Sequence, residues 1–245
     1  MIRIDELHEG MPASGLDGVV FDLDGTLVNT ASDIARAVNA LLEERDEEPC
    51  EVKYVERFLG GGARELVAGV YAGLGVAVTP ERLDVDTARY LKHYSLSPAE
   101  QSTVYQDGLS TLDGLQTAGV RVGVCTNKGQ DLAEVVLSQL GLRRYVDVVV
   151  GGDALSVRKP DPRHLLTTLQ RMGVSAERSL FVGDSNVDVE TAHRAGVPCM
   201  VVAWAKGEFK GANQPPRLHR FADLLSLVQA QGHHSALQVD NDTST

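Results

Sequence analysis

From Asp107-Gly108 onward the chain alternates short apolar runs with amphipathic helical ones, and that alternation admits few folds. The spacing predicts strands at Val120–Cys125, Tyr145–Val150, Ser179–Val182 and Pro198–Val202. Between them Leu132, Val135, Val136 and Leu140 mark one helix, closed by Gly141. Asp161-Pro162 places an N-cap and a first-turn proline before Leu165, Leu166, Leu169 and Met172, and Gly173 closes that helix. Asp188 to Ala195 and Phe221 to Val228 read as two more. Strands that alternate with helices build a parallel sheet covered on both faces, so the expected fold class is α/β. An earlier apolar run, residues 18–23, has the unbroken apolarity of a strand buried on both faces.

In such a sheet the site lies beyond the carboxyl ends of the strands. Polar residues collect at those ends here. Asp22 and Asp24 follow the first strand, Thr126 and Asn127 the second, Lys159 the third, and Asp184, Ser185 and Asp188 the fourth. Asp22 and Asp24 are one residue apart, so both side chains can converge on one point. Two carboxylates that close are costly unless a cation lies between them, and hard oxygen ligands suit Mg²⁺. Taken one at a time, these residues also suit turns, caps and solvated loops. As a set they fit phosphoryl transfer through an aspartate. Asp22 is the expected nucleophile. Asp22, the Asp24 carbonyl, Asp184 and Asp188 are the expected metal ligands, with Asp188 acting directly or at one remove. Thr126, Asn127 and Lys159 are expected to bind the phosphate oxygens. Asp24 is the expected general acid, which an alkyl phosphate needs for its leaving alkoxide.

The chain carries a net charge of −11, which argues against nucleic acid or an anionic membrane as a partner and leaves a small phosphorylated metabolite. Its three cysteines, Cys50, Cys125 and Cys199, are scattered, as expected in a reducing compartment. No apolar run approaches a transmembrane length, and acidic residues stand where a signal peptide would need an apolar run. The expected location is the cytoplasm.

Residues 30–102 show helical patterns and no strand. Thr30 reads as an N-cap with Asp33 three residues on, leading into Ile34, Val38, Leu41 and Leu42. Further helices are expected near 51–59, from Ala63 and after Thr79-Pro80. The domain boundaries follow: a core of 16–30 and 103–230, a helical insert of 31–102, and flexible termini of 1–15 and 231–245.

The strings Phe21–Thr26 (FDLDGT), Cys125–Asn127 (CTN), Arg158–Pro162 (RKPDP) and Gly183–Asp188 (GDSNVD), in that order, resemble the haloacid dehalogenase superfamily. The fuller strings VCTNK, VVVGGD and KPDP resemble its phosphoglycolate phosphatase branch. The presence of Asp24 sets the chain apart from the dehalogenases and cation-pump ATPases. The resemblance implies a Rossmann-like core with a four-helix cap inserted after the first strand. It also implies a Mg²⁺-dependent phosphomonoester hydrolase acting on 2-phosphoglycolate. A sugar-phosphate phosphatase (for example on an amino-sugar 6-phosphate), a phosphomutase, a phosphonate hydrolase and a non-catalytic phosphate-sensing module are the alternatives. One departure, Gln106-Asp107-Gly108 in place of a Pro-Gly, bears on the start of the following helix. In the cap, Gly60-Gly61-Gly62 could form an anion-binding turn. Arg64 is the expected partner of a substrate carboxylate. Lys53, a position to compare with the Schiff-base lysine of phosphonoacetaldehyde hydrolases, reads as an exposed lysine.

Overall fold

The computed structural model describes residues 15–206, 209 and 214–228. The expected flexible termini lie outside these residues, apart from residue 15. Strand β1 (Gly18–Phe21) is the middle of a six-stranded parallel sheet. Its neighbours are β4 (Arg121–Cys125) on one side and β6 (Ser179–Gly183) on the other. Outside β4 lies β5 (Val148–Val150); outside β6 lie β7 (Cys199–Val202) and β8 (Arg217–Leu218). The sheet order is β5-β4-β1-β6-β7-β8. Phe21 is level with Val124 and Val182, so the three central strands end together and their following loops meet.

Alternation along β1 explains the two layers. Val19 and Phe21 face one way, onto α5 (Gly108–Thr117), α6 (Gln130–Gln139) and the helical residues 222–228. Val20 faces the other way, onto α7 (Pro162–Met172) and α8 (Asn186–Ala195). All three side chains are fully buried. Such strands must be apolar on both faces, which is why the run carries no polar alternation. The expected helix stop at Gly173 holds, with left-handed backbone there and likewise at Gly196 after α8, and Asp161 caps α7 through the Arg163 N–H at 2.9 Å. The strand expected from Tyr145 begins only at Val148, because residues 143–145 form a 3-10 turn first.

Two short strands, β2 (Val28–Asn29) and β3 (Thr103–Val104), pair antiparallel where the chain leaves and re-enters the sheet layer. Between them are α1 (Ala31–Glu43), the single turn α2 (Val52–Val55), α3 (Ala63–Leu74) and α4 (Pro80–Leu96). Thr79 caps α4 through the Arg82 N–H, with Pro80 in its first turn. These helices share their own apolar cluster, centred on Val38, Leu42, Val67, Val70, Tyr71 and Tyr94. Asp86, a deeply buried charge beside it, is matched by Arg45, Arg82 and the Tyr71 hydroxyl. Asp33 does not serve the start of α1 as a cap. It is buried and binds the chain on its way out, accepting from the Gln101 N–H at 3.0 Å and the Ser102 hydroxyl at 2.6 Å. Among the described residues no helix is long and apolar enough to cross a membrane.

Candidate active site

The loop after β1 is a tight turn in which the Leu23 carbonyl accepts from the N–H groups of Thr26, Leu27 and Val28. It needs Gly25. The backbone there has φ +84°, and a Cβ would lie 2.3 Å from Asp184 Oδ2. The turn leaves Asp22 almost fully buried. Thr126 is equally buried at the end of β4, and its hydroxyl oxygen accepts from the Lys128 N–H at 3.2 Å.

Lys159 enters from the loop before α7 and is 3% exposed. Its ammonium lies 2.8 Å from Asp22 Oδ1 and 2.6 Å from Asp188 Oδ1. Burial alone would lower its pKa, but Asp188 and Asp22 outweigh that and hold it above the ordinary lysine value. Asp22 moves the other way. Burial, only partly opposed by Lys159 and reinforced by Asp188, pushes its carboxyl up to about 6. Asp184 is also raised, by burial and then by Asp188 and Asp22.

Carboxylate oxygens of Asp22, Asp184 and Asp188 lie within 4.8 Å of one another. Among the described residues Asp22 Oδ1 has the Lys159 ammonium as its one partner, and Asp184 has the Thr26 hydroxyl at 3.2 Å on its Oδ1. Buried carboxylates raised by each other and short of donors fit a divalent cation. Of the two roles expected for Asp188, direct ligand or one remove from the ion, its contacts favour the second. Its Oδ2 accepts from the Asp184 and Ser185 N–H groups and the Ser185 hydroxyl, and its Oδ1 takes Lys159. With Ser185 it forms the capping box that starts α8, so it orients the others while its own oxygens are engaged.

The Asp24 carboxylate is not part of that cluster, so of Asp24 only the backbone carbonyl is kept as an expected ligand. Oδ1 accepts from the Thr30 hydroxyl at 2.6 Å, and Oδ2 pairs with Lys128 Nζ at 2.9 Å. Thr30 therefore holds Asp24, and its hydroxyl does not cap α1. Lys128 was not singled out by the sequence. Its side chain is 5% exposed, with Nζ 4.4 Å above the Tyr94 ring. The nearest signal was its place directly after Thr126-Asn127 at a strand end.

Asp24, Thr126, Asn127 and Lys128 line a chamber of about 50 Å³, roofed by Ile34, Phe58, Leu59, Leu66, Tyr90 and Tyr94 from the cap. A wider cleft of about 440 Å³ opens on the Asp184 side, with Lys53 on its rim. Asn127 donates from Nδ2 to the Gly60 carbonyl in the cap. The glycine run thus turns a carbonyl toward the site, which does not match an anion-binding turn. Arg64 is not brought to the chamber either. It sits in the first turn of α3, half-exposed, and pairs with Asp84 of α4 at 2.6 Å.

Residues 19–202 match the family model for haloacid dehalogenase-like hydrolases. The chain is 43% identical over 190 residues to a phosphoglycolate phosphatase of Rhodospirillum rubrum, covering 76% of this chain and 79% of that protein. It is 40% identical over 182 residues to a phosphoglycolate phosphatase of Cereibacter sphaeroides, covering 74% and 83%. The fold is similar to the crystal structure of a predicted phosphoglycolate phosphatase from Haemophilus somnus, with TM-score 0.77, 25% identity, and 87% and 98% of the two chains covered.

Proposed function

The chain belongs to the haloacid dehalogenase-like hydrolase family and is a phosphatase within it, and from that premise we propose that it hydrolyses 2-phosphoglycolate to glycolate and phosphate through an aspartyl-phosphate on Asp22. The observation that carries the substrate is the chamber beside Asp24. It is small, its roof is apolar, and its one cation is the buried Lys128. That combination suits a two-carbon leaving group ending in a carboxylate better than a hexose ring.

The Asp22 carboxylate attacks phosphorus, and the bond to the glycolate oxygen breaks as the new one forms. Asp24 gives that oxygen its proton, an effect typically worth about 10²–10⁴ in rate. As a carboxylate Asp24 then takes a proton from the water that attacks the phosphorus of the aspartyl-phosphate, which frees phosphate and restores Asp22. Lys159 and the Thr126 hydroxyl hold the non-bridging oxygens, and Lys159 already stands beside the nucleophile. Asp22, Asp184 and the Asp24 carbonyl are the residues that would hold Mg²⁺, with Asp188 orienting Asp184 and Lys159. When bound, the ion supplies neutralisation of the charge shared by the carboxylate and the phosphate.

The test is phosphate release, with Mg²⁺, from 2-phosphoglycolate, several hexose 6-phosphates and amino-sugar phosphates, by wild type and Asp22→Asn. We expect 2-phosphoglycolate to lead in kcat/KM and the variant to release none. A leading sugar phosphate sinks the substrate assignment. Wild-type turnover by Asp22→Asn sinks the aspartyl-phosphate.

A further inference from the structure

The peptide of Lys159 is gripped on both sides. Its N–H donates to His164 Nδ1 at 3.3 Å, and its carbonyl accepts from Asn127 Nδ2 at 3.0 Å. His164 is fully buried, and its Nε2 lies 3.0 Å from the Gly151 carbonyl. A carbonyl can only accept, so Nε2 carries the proton and Nδ1 is left to accept from Lys159. Burial pushes this imidazole down to about 4, so it stays neutral and keeps that pattern at neutral pH.

Asn127 has two N–H donors on one nitrogen. One goes to Lys159. The other goes to the Gly60 carbonyl, in the cap, at 2.9 Å. A single amide group therefore bridges the cap and the backbone of the lysine that faces the nucleophile. The bridge exists because the cap loop comes so near the core. At Gly62 the backbone has φ +95°, and a Cβ would lie 3.3 Å from the Asn127 carbonyl oxygen. Asn127 is 8% exposed, so water is a poor substitute for either partner.

We infer that Asn127 is a positioning residue that couples closure of the cap to the placement of Lys159. With the cap closed, both donors are engaged and the Lys159 carbonyl is fixed. With the cap lifted, the Gly60 partner is lost, the amide is free to turn, and the Lys159 peptide keeps only its His164 anchor. Asp22 and Asp188 hold the ammonium from the core, and the bridge fixes the lysine backbone behind it once the substrate is covered, so the site is most precisely set when water's access is limited. The inference rests on the proposed role of Lys159 as the cation facing the phosphate.

Two variants and one measurement on the wild type test it. Asn127→Asp keeps the shape and removes both donors; Asn127→Ser keeps one short donor. For Asn127→Asp we expect kcat on 2-phosphoglycolate to fall by about 10- to 100-fold, the scale of a misplacement of about 1 Å, with KM within about threefold. Asn127→Ser should fall between that variant and wild type. Amide exchange should rise together in residues 59–62 and 158–161 of Asn127→Asp. In the wild type, orthovanadate with Mg²⁺ should protect the same two segments together. A merely structural role would lower the melting temperature and leave both kcat per folded molecule and the joint exchange unmoved. Retention of kcat within about threefold by folded Asn127→Asp overturns the coupling, as does independent exchange of the two segments in the wild type. Lys159→Met separates the two readings. If it keeps wild-type turnover, the role of Lys159 fails; if it is inactive while Asn127→Asp is not, only the coupling fails.

Discussion

Replacing Lys128 by methionine removes a buried charge while keeping the length of the side chain and its contact with the Tyr94 ring. The side chain is 5% exposed, and among the described residues its ammonium has one carboxylate partner, Asp24 at 2.9 Å. A glycolate carboxylate in the chamber would be its second. Truncating one member of a buried charge pair costs about 2–5 kcal/mol. The lower part of that range applies here, about 2–3 kcal/mol, because Asp24 already satisfies the ammonium and the substrate carboxylate is a second partner, not the first. At 1.36 kcal/mol per tenfold, kcat/KM for 2-phosphoglycolate should fall roughly 30- to 150-fold. Ethyl phosphate has the same two carbons and no carboxylate, so its kcat/KM should stay within about threefold. Thr30 still holds Asp24 in the variant, at 2.6 Å. The assay is phosphate release from both esters at pH 7 with saturating Mg²⁺. Equal losses on the two esters would mean that Lys128 acts only through Asp24. No loss on either would mean that the carboxylate binds elsewhere, and each result refutes the argument.

Gly25→Ala puts a Cβ against Asp184 Oδ2 and a side chain on left-handed backbone, which costs about 1–2 kcal/mol. The Mg²⁺ concentration for half-maximal activity should rise about 10- to 100-fold, and an unchanged Mg²⁺ titration would show that Asp184 does not carry the ion. His164 gives a pH prediction whose sign follows from its lowered value. Between about 4 and the ordinary 6.5 the unfolded chain binds a proton that the folded chain does not, so stability is full above 6.5 and declines as pH falls toward 4. From pH 6.5 to 5 this loss is about 1–2 kcal/mol, and it should be absent from His164→Gln in urea unfolding. A wild-type-to-variant difference that stays constant across that range would contradict it.

The sheet was readable because its central strands are buried on both faces, so their apolar runs are unbroken and end where polar residues begin. Asp22, Thr126, Lys159 and Asp184 were readable for the same reason, since parallel strands that end level bring their loops together. The linker strands β2 and β3, and β8 beyond them, have two residues each, too few for any period. Lys128 was missed because its burial depends on Tyr94 and Asp24, which the chain brings from far away. Arg64 was misplaced for the opposite reason. A guanidinium near glycines suggests an anion site, but its direction is set by the turn of α3 on which it sits and by Asp84 across the helix pair. Asp188 carries a similar lesson: one spacing, Ser185 to Asp188, serves both a capping box and an acidic cluster, and only the contacts of its oxygens tell them apart.

The antiparallel pairing of β2 with β3, reinforced by Asp33 on Ser102, brings the two ends of the insert together. This bears on the order of folding. β1 must find β4 and β6 across the whole length of the cap, and such distant pairings are slow because the chain must close a long loop first. The cap is helical and rich in local contacts, the kind of unit that forms early. Once formed, it holds residues 28 and 104 side by side, and the loop that β1 must close to reach β4 shrinks to residues 22–27 and 105–120. The insert that covers the substrate in the finished protein thereby shortens the search that builds the sheet beneath it.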